Sequence, residues 1–390
     1  MVILVCLPAV LAGGQVSKPL AVVKFDLYHN RVYVPVEVNG EGPFAFVLDT
    51  GASVSGLNSA LAQMLGPKPK SKADLQGNGE DRGRIDVTRN VALSVGGAPI
   101  ETRVVGIVSF TELETYEGRT VDGVVGLELF KRYVVEIDYE RETLKLYEPA
   151  AYSHSGSGDV IPLRMFKGGL VLVRTKIDVS DHDQLDTDLA IDSGTYSALR
   201  FHRPFAEKHK MLDSSRTIVH SSGFGLGGEF AQALGRVQAL ELGTFKLVSP
   251  LTAFSQASGG QTTRKDLAGT IGGEILRRFT VIFDYSRQQM ILVPNSHLHE
   301  PFAADMSGII ITAAPPQFTI ITVRHVAENT PAAELGIREG DQIVTVDGQP
   351  VGAMGLEKLR RLFEQQAAYR LQIRRGERSL QVELRTRPLV

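Results

Sequence analysis

Phe46-Val47-Leu48-Asp49-Thr50-Gly51-Ala52-Ser53 decides how this chain is read. An apolar run ends in one carboxylate, and a small hydroxyl residue and a glycine follow at once. The phrase returns as Leu189-Ala190-Ile191-Asp192-Ser193-Gly194-Thr195. One such triplet is ordinary turn chemistry, since Asp and Gly both favour turns. Two copies mean more, because each caps an apolar strand and each opens the same longer pattern. After Asp49 comes Asp122-Gly123-Val124-Val125-Gly126-Leu127-Glu128, closing on Ile137-Asp138-Tyr139. After Asp192 comes Ala268-Gly269-Thr270-Ile271-Gly272-Gly273-Glu274, closing on Phe283-Asp284-Tyr285. The aspartates of the two triplets lie 143 residues apart, and Gly123 and Gly269 lie 146 apart. A long repeat of this kind is settled before any other reading. Two copies are too few for a solenoid and predict two similar lobes facing each other across a pseudo-twofold axis.

Working outward, the first copy opens with Val32, Val34, Val36 and Val38 at period two, a half-buried strand. Asn39-Gly40 predicts a tight hairpin turn, and Phe44–Leu48 delivers Asp49. Asn58–Leu65 reads as a short helix. Gly77-Asn78-Gly79 with Gly83 reads as a polar hairpin tip. Val91–Val95 and Thr102–Val108 are expected strands joined by Gly96-Gly97. Glu128 and Glu274 suit helix starts, while Asp138 and Asp284 suit hairpin ends. Ser153–Gly158 reads as a linker. The second copy carries its own glycine-rich tip, Gly223-Phe224-Gly225. From residue 305 the grammar changes. Phe318–Val326 reads as a strand, Thr330–Asp341 as a short helix between turns, and Ile343–Val346 as a strand turned by Asp347-Gly348. Leu356, Leu359 and Phe363 then form one apolar helical face.

Composition sets limits. Of 390 residues, 43% are hydrophobic and 22% charged, which is ordinary globular material with ample core. The 42 basic and 44 acidic side chains give a net charge of −2 with no basic stripe, so no nucleic-acid partner is expected. The apolar run Val2–Ala12 is the length of a signal-peptide core and too short to span a bilayer. Residues 1–14 are therefore expected to direct export to a periplasmic or extracellular compartment, although no basic residue precedes Lys18. Removal of that segment takes away Cys6, the single cysteine. His297-x-His299 has no third ligand at a suitable spacing and reads as solvated linker, so no metal and no cofactor are expected.

The paired triplets, each followed by a glycine-centred strand, resemble the pepsin and retropepsin aspartic proteases over about residues 20–294. Residues 305–390 resemble a PDZ domain through Thr330–Asp341 and Val344–Gly348. The resemblance implies a mainly β, bilobal fold made of two internal repeats, with lobes at 20–150 and 159–294, and a small α+β PDZ-like domain at 305–390. It implies Asp49 and Asp192 as the catalytic pair. Thr50, Gly51, Ser193, Gly194 and Thr195 would support it, the two hydroxyls bracing the loops by crossed hydrogen bonds. The tips Gly77, Asn78, Gly79 and Gly223, Phe224, Gly225 would be flaps, either one or two. Phe318, Ile320 and Leu359 would line a peptide groove in the PDZ-like part, after a loop at 313–318. Pro315 and Pro316 have no N–H to offer a carboxylate, so capture of a C-terminus stays open there and strand addition of a peptide is compatible with the sequence. With both lobes in one chain a monomer is expected.

Two carboxyls about 3 Å apart cannot both ionise cheaply. At an effective dielectric near 20 the repulsion is ~5 kcal/mol, or about 4 pK units. The pair would hold one proton and supply acid and base together, a general property of that family. Its pH profile is expected on the acid side. Ala52 follows the first triplet and Thr195 the second, so a hydroxyl is expected to favour ionisation of Asp192 alone. The expected activity is peptide-bond hydrolysis by activated water, with protein or peptide substrates and a peptide ligand for the PDZ-like part. The alternative is a catalytically silent peptide-binding or adaptor protein on the same scaffold.

Overall fold

The computed structural model describes residues 17–75, 77–80, 83–180, 183–213 and 217–390. The apolar segment 1–14 and Cys6 lie outside them. In the strand Arg31–Val38, the four alternating valines are all 0% exposed and face the core. Asn39 and Gly40 both take positive φ, the conformation a two-residue hairpin of this hand demands. The return strand Glu41–Leu48 places Val34 opposite Phe46 and Tyr33 opposite Val47. Gly123–Val125 then runs parallel to it, with Val125 opposite Leu48, and antiparallel to Gly56–Asn58. The chain leaving Leu48 is thereby held between neighbours, and the Asp49 N–H donates to the Val125 carbonyl at 2.9 Å.

The second lobe repeats this arrangement. Edge to edge, the first sheet runs Ser71–Leu75, Gly83–Thr88, Val105–Val108, Gly56–Asn58, Gly123–Val125, Glu41–Leu48, Arg31–Val38, Leu93–Val95, Ala98–Ile100. The second runs Val219–Gly225, Gly228–Arg236, Leu251–Ser255, Leu199–Phe201, Gly269–Ile271, Asp183–Ile191, Val171–Ser180, Ala239–Leu242, Phe245–Val248. The order corresponds strand for strand, so the duplication read in the sequence is a duplication of architecture, and the fold is mainly β and bilobal. Asp192 N–H donates to the Ile271 carbonyl at 2.9 Å, as Asp49 does to Val125. One detail differs from expectation. Gly96-Gly97 does not lead to a strand over Thr102–Val108; it turns Leu93–Val95 into Ala98–Ile100, and the later strand is Val105–Val108.

A six-stranded antiparallel sheet joins the lobes. Its two central strands come from different copies, Val134–Asp138 and Phe279–Asp284, with Val135 opposite Phe283 and Ile137 opposite Val281. Phe283 stands edge-on to Phe130 at 5.4 Å between ring centres, so one apolar core runs through both lobes. Asp138 and Asp284 close the hairpins of this sheet by accepting the N–H of Arg141 and Arg287.

Residues 309–385 form a separate sheet with its own core, centred on Leu359, Phe363 and Leu371. Its strands are ordered Ile309–Ala313, Ile321–Val326, Gln342–Val346, Ala368–Arg375, Arg378–Arg385, with the helix Leu356–Phe363 packed on it. The strand expected over Phe318–Val326 begins only at Ile321, and the run Ile309-Ile310-Ile311 before it is a strand that period-two reading passes over.

Candidate active site

The two aspartates, delivered by equivalent strand ends, meet at the junction of the lobes. A Cβ added at Gly51 would lie 3.0 Å from an oxygen of Asp49 and 3.0 Å from an oxygen of Asp192, so a side chain there would press on both carboxyls. Gly194 occupies the mirror position against Asp49. Each carboxylate accepts the N–H of its own loop's glycine, Gly51 to Asp49 at 2.7 Å and Gly194 to Asp192 at 3.1 Å.

The loops are locked by a crossed network. Thr50 Oγ1 donates to the Ile191 carbonyl at 2.8 Å and accepts from the Ser193 N–H at 3.0 Å. Ser193 Oγ donates to the Leu48 carbonyl at 2.8 Å and accepts from the Thr50 N–H at 3.0 Å. Both side chains are 1% exposed, so all four bonds are sheltered from water. Glu128 adds to the first loop by accepting from the Ser55 N–H and hydroxyl, a role beyond helix-start electrostatics.

Thr195 does not act as expected. Its backbone N–H donates to the Asp192 carbonyl and its carbonyl accepts from Gly273, but among the described residues its hydroxyl makes no bond to the Asp192 carboxyl. The two aspartates are made unequal by cations instead. Burial pushes Asp49 up to about 8, and the neighbouring Asp192 adds to the rise. Burial also raises Asp192, but the charge of Arg200 and the bond from Asp49 oppose it. Both carboxyls are thus raised, the pair holds one proton between them, and it titrates as a unit. The upper step lies near neutrality rather than on the acid side, because desolvation adds to carboxylate repulsion.

The two glycine-rich hairpin tips meet. The hairpin of Ser71–Leu75 and Gly83–Thr88 reaches that of Val219–Gly225 and Gly228–Arg236, where the Gly79 N–H donates to the Leu226 carbonyl at 3.0 Å. Glu80 accepts from the N–H and hydroxyl of Ser258, both at 2.8 Å. Phe224 stacks on Tyr116 of the helix Thr111–Glu117, with ring centres 4.5 Å apart. Tyr116 and Tyr196 lie with ring centres 5.7 Å apart.

Sequence reasoning missed the inner supports. Arg31 Nε donates to the Gly194 carbonyl at 2.7 Å, and Arg31 forms a buried ion pair with Glu117. Asn30 Nδ2 donates to the Tyr196 carbonyl at 3.1 Å. These residues come from a hairpin turn and a helix with no motif around them. His297 pairs with Glu300 at 2.7 Å.

The expected groove of the C-terminal domain does not assemble. Leu359 is buried in that domain's core, Phe318 sits in a turn at positive φ, and Ile320 is 60% exposed on the same connection. Phe318 and Ile320 belong to the link between two strands rather than to the edge. The edge strand is Ile309–Ala313, and the helix Thr111–Glu117 of the first lobe packs against it. Arg360 Nη2 donates to the Ile311 carbonyl at 3.0 Å and to the Tyr116 carbonyl, and its guanidinium lies 4.6 Å over the Tyr116 ring. In the loop before the edge strand, the N–H groups of Ser307 and Gly308 are taken by the Asp305 carboxylate at 3.0 and 2.6 Å. A cavity of about 570 Å³ remains between this domain and the lobes, lined by His29, Tyr196, Gln232, Ile310, Arg360 and Val390 among others.

A two-lobed β fold with paired aspartates under flaps defines the aspartic-protease class. Comparison agrees with this. Residues 34–129 match the family described as aspartyl protease, and residues 322–375 match the PDZ domain family. Over those residues the chain carries an aspartyl protease domain and a PDZ domain. No curated protein matches it. Among solved structures it is similar to an aspartic proteinase from Irpex lacteus, at 12% identity and a TM-score of 0.47, over 72% of this chain and 99% of that one.

Two outcomes test the site. Thr50→Ala and Ser193→Ala each remove two buried hydrogen bonds and strand a backbone N–H, so each should cost about 2–4 kcal/mol, read as a lowered denaturation midpoint. Thr50→Ser should cost much less. Between pH 3.8 and about 8 the folded chain holds a proton on Asp49 that the unfolded chain has shed. This contribution therefore lowers stability as pH rises through that window. Asp49→Asn should remove it, so the variant should gain in melting temperature on the wild type as pH rises from 4 to 8.

Proposed function

We propose that this chain is an aspartic endopeptidase that hydrolyses peptide bonds through Asp49 and Asp192. The observation that carries the reading is the pair of buried carboxyls brought together at the lobe junction by the crossed Thr50 and Ser193 network, both held above the usual carboxylate range by burial. A water bound between them gives its proton to Asp192 and attacks the carbonyl carbon, while the Asp49 hydroxyl donates to the carbonyl oxygen. Collapse of the tetrahedral adduct returns a proton to the amine, and no bond to the enzyme forms. The joined flaps must part to admit a chain and close to exclude water from it. The PDZ domain carries no comparable constellation, and its role is to bias which proteins reach the cleft.

Asp49→Asn and Asp192→Asn should each abolish hydrolysis of a denatured protein substrate while leaving circular dichroism unchanged, since Asn is nearly isosteric. Activity should fall as pH rises through about 8, when the pair loses its proton. Wild-type rates in the double Asn variant would end this reading. Arg360→Glu should break the contacts to Tyr116 and Ile311, and should alter the set of proteins cut more than the rate on a short peptide. An unchanged substrate set would remove the PDZ domain from substrate choice.

A further inference from the structure

The two lobes share strand order, so each side chain facing the cleft from one lobe has a counterpart in the other, and pairing registers identify it. Gly56 stands beside Val124 and Gly106 in the first lobe. Arg200 stands beside Thr270 and Ala253 in the second. Arg200 is thus the counterpart of Gly56, and Thr270 of Val124. Counting two residues along the neighbouring strands, Gln232 is the counterpart of Ile85 and Ser255 of Val108.

The first set is apolar. Ile85, Val108 and Val124 pack with Phe110 in a cluster that also touches Ala52 of the dyad loop and Leu226 of the opposite flap tip. The second set is polar and cationic. Arg200 is 2% exposed, and its Nε and Nη2 have no hydrogen-bond partner in the protein. Gln232 Oε1 and Thr270 Oγ1 are likewise without partners. One face of the guanidinium lies 5.1 Å from the Phe230 ring centre, and no ion pair holds it among the described residues. A buried unpaired charge is expensive. Nε–H and Nη2–H are the two parallel donors of one guanidinium edge, the fork that matches both oxygens of a carboxylate.

We propose, building on the protease reading, that the second-lobe subsite selects an acidic substrate side chain whose carboxylate docks on the Arg200 edge, while the first-lobe subsite takes an apolar one. Cleavage then falls between or beside one apolar and one acidic residue.

The experiment uses the full chain and peptides blocked at both ends, so that no terminal carboxylate competes. Glu or Gln is walked through the positions flanking an otherwise apolar cleavage site, and kcat/KM is measured. At one position Glu should exceed Gln by about 10- to 100-fold, the range of a charge-assisted bond. The advantage should fade as pH drops through about 4, where the substrate carboxyl protonates. Arg200→Met, checked for folding by its melting curve, should bring the ratio near one. A purely electrostatic effect of Arg200 on Asp192 would slow both peptides equally and shift the pH profile. A wild-type ratio near one at every position, or an unchanged ratio in Arg200→Met, overturns the proposal. Calorimetric titration of the same peptides into Asp49→Asn reads the subsite without turnover. Glu-selective binding with no cleavage by the wild type would sink the protease reading and keep the subsite; equal binding of Glu and Gln would sink the subsite.

Discussion

The structure depends on holding two like-charged groups closer together than they would choose. Nothing in a carboxyl pair attracts until one proton is shared, so the protein must impose the distance. It does so with four buried hydrogen bonds in which Thr50 and Ser193 each grasp the other's backbone. Glycine is required at 194, where a Cβ would lie 2.3 Å from the Asp49 carboxyl carbon, and it keeps the matching approach at 51 free of crowding. Behind the loops, the sheet that interleaves Val134–Asp138 with Phe279–Asp284 fixes the lobes. A hydrogen bond made across a junction is only as good as the rigidity on both sides, and here both sides share one core.

Much of this was legible. The triplets and later glycines announce themselves because chemistry at a strand end and a parallel crossover each demand particular small residues, and both demands recur. The two hairpin tips that meet follow from glycine-rich stretches at matched distances from the aspartates. What stayed hidden was long-range. Arg31, Glu117, Tyr116 and Tyr196 have no spacing to betray them, since the fold alone brings them together. The contribution assigned to the Thr195 hydroxyl failed for a related reason: the electrostatics around Asp192 come from Arg200, a residue that in sequence is one charge in a short strand. The peptide groove was misplaced because Ile309-Ile310-Ile311 is a continuous apolar run, in which period two shows nothing, whereas Phe318 lies in a turn.

The PDZ domain is not a pendant. Arg360 bonds the carbonyls of both Ile311 and Tyr116, Tyr116 stacks on the flap residue Phe224, and the adjoining Glu117 pairs with Arg31, which bonds the Gly194 carbonyl. Arg324 adds an ion pair to Glu229 at 2.9 Å, on a strand of the second flap. The edge strand, the flap and the dyad loop are parts of one continuous contact path.

Carrying both halves in a single chain has a consequence for charge. An enzyme assembled from two identical subunits must write every residue twice, so a guanidinium at the position of Arg200 would face its own image across the dyad. Two such cations would confront a pair that carries one negative charge. Fusion of the halves lifts that requirement. Gly56 stays neutral while Arg200 is charged, and the cleft acquires a direction that a symmetric dimer cannot have.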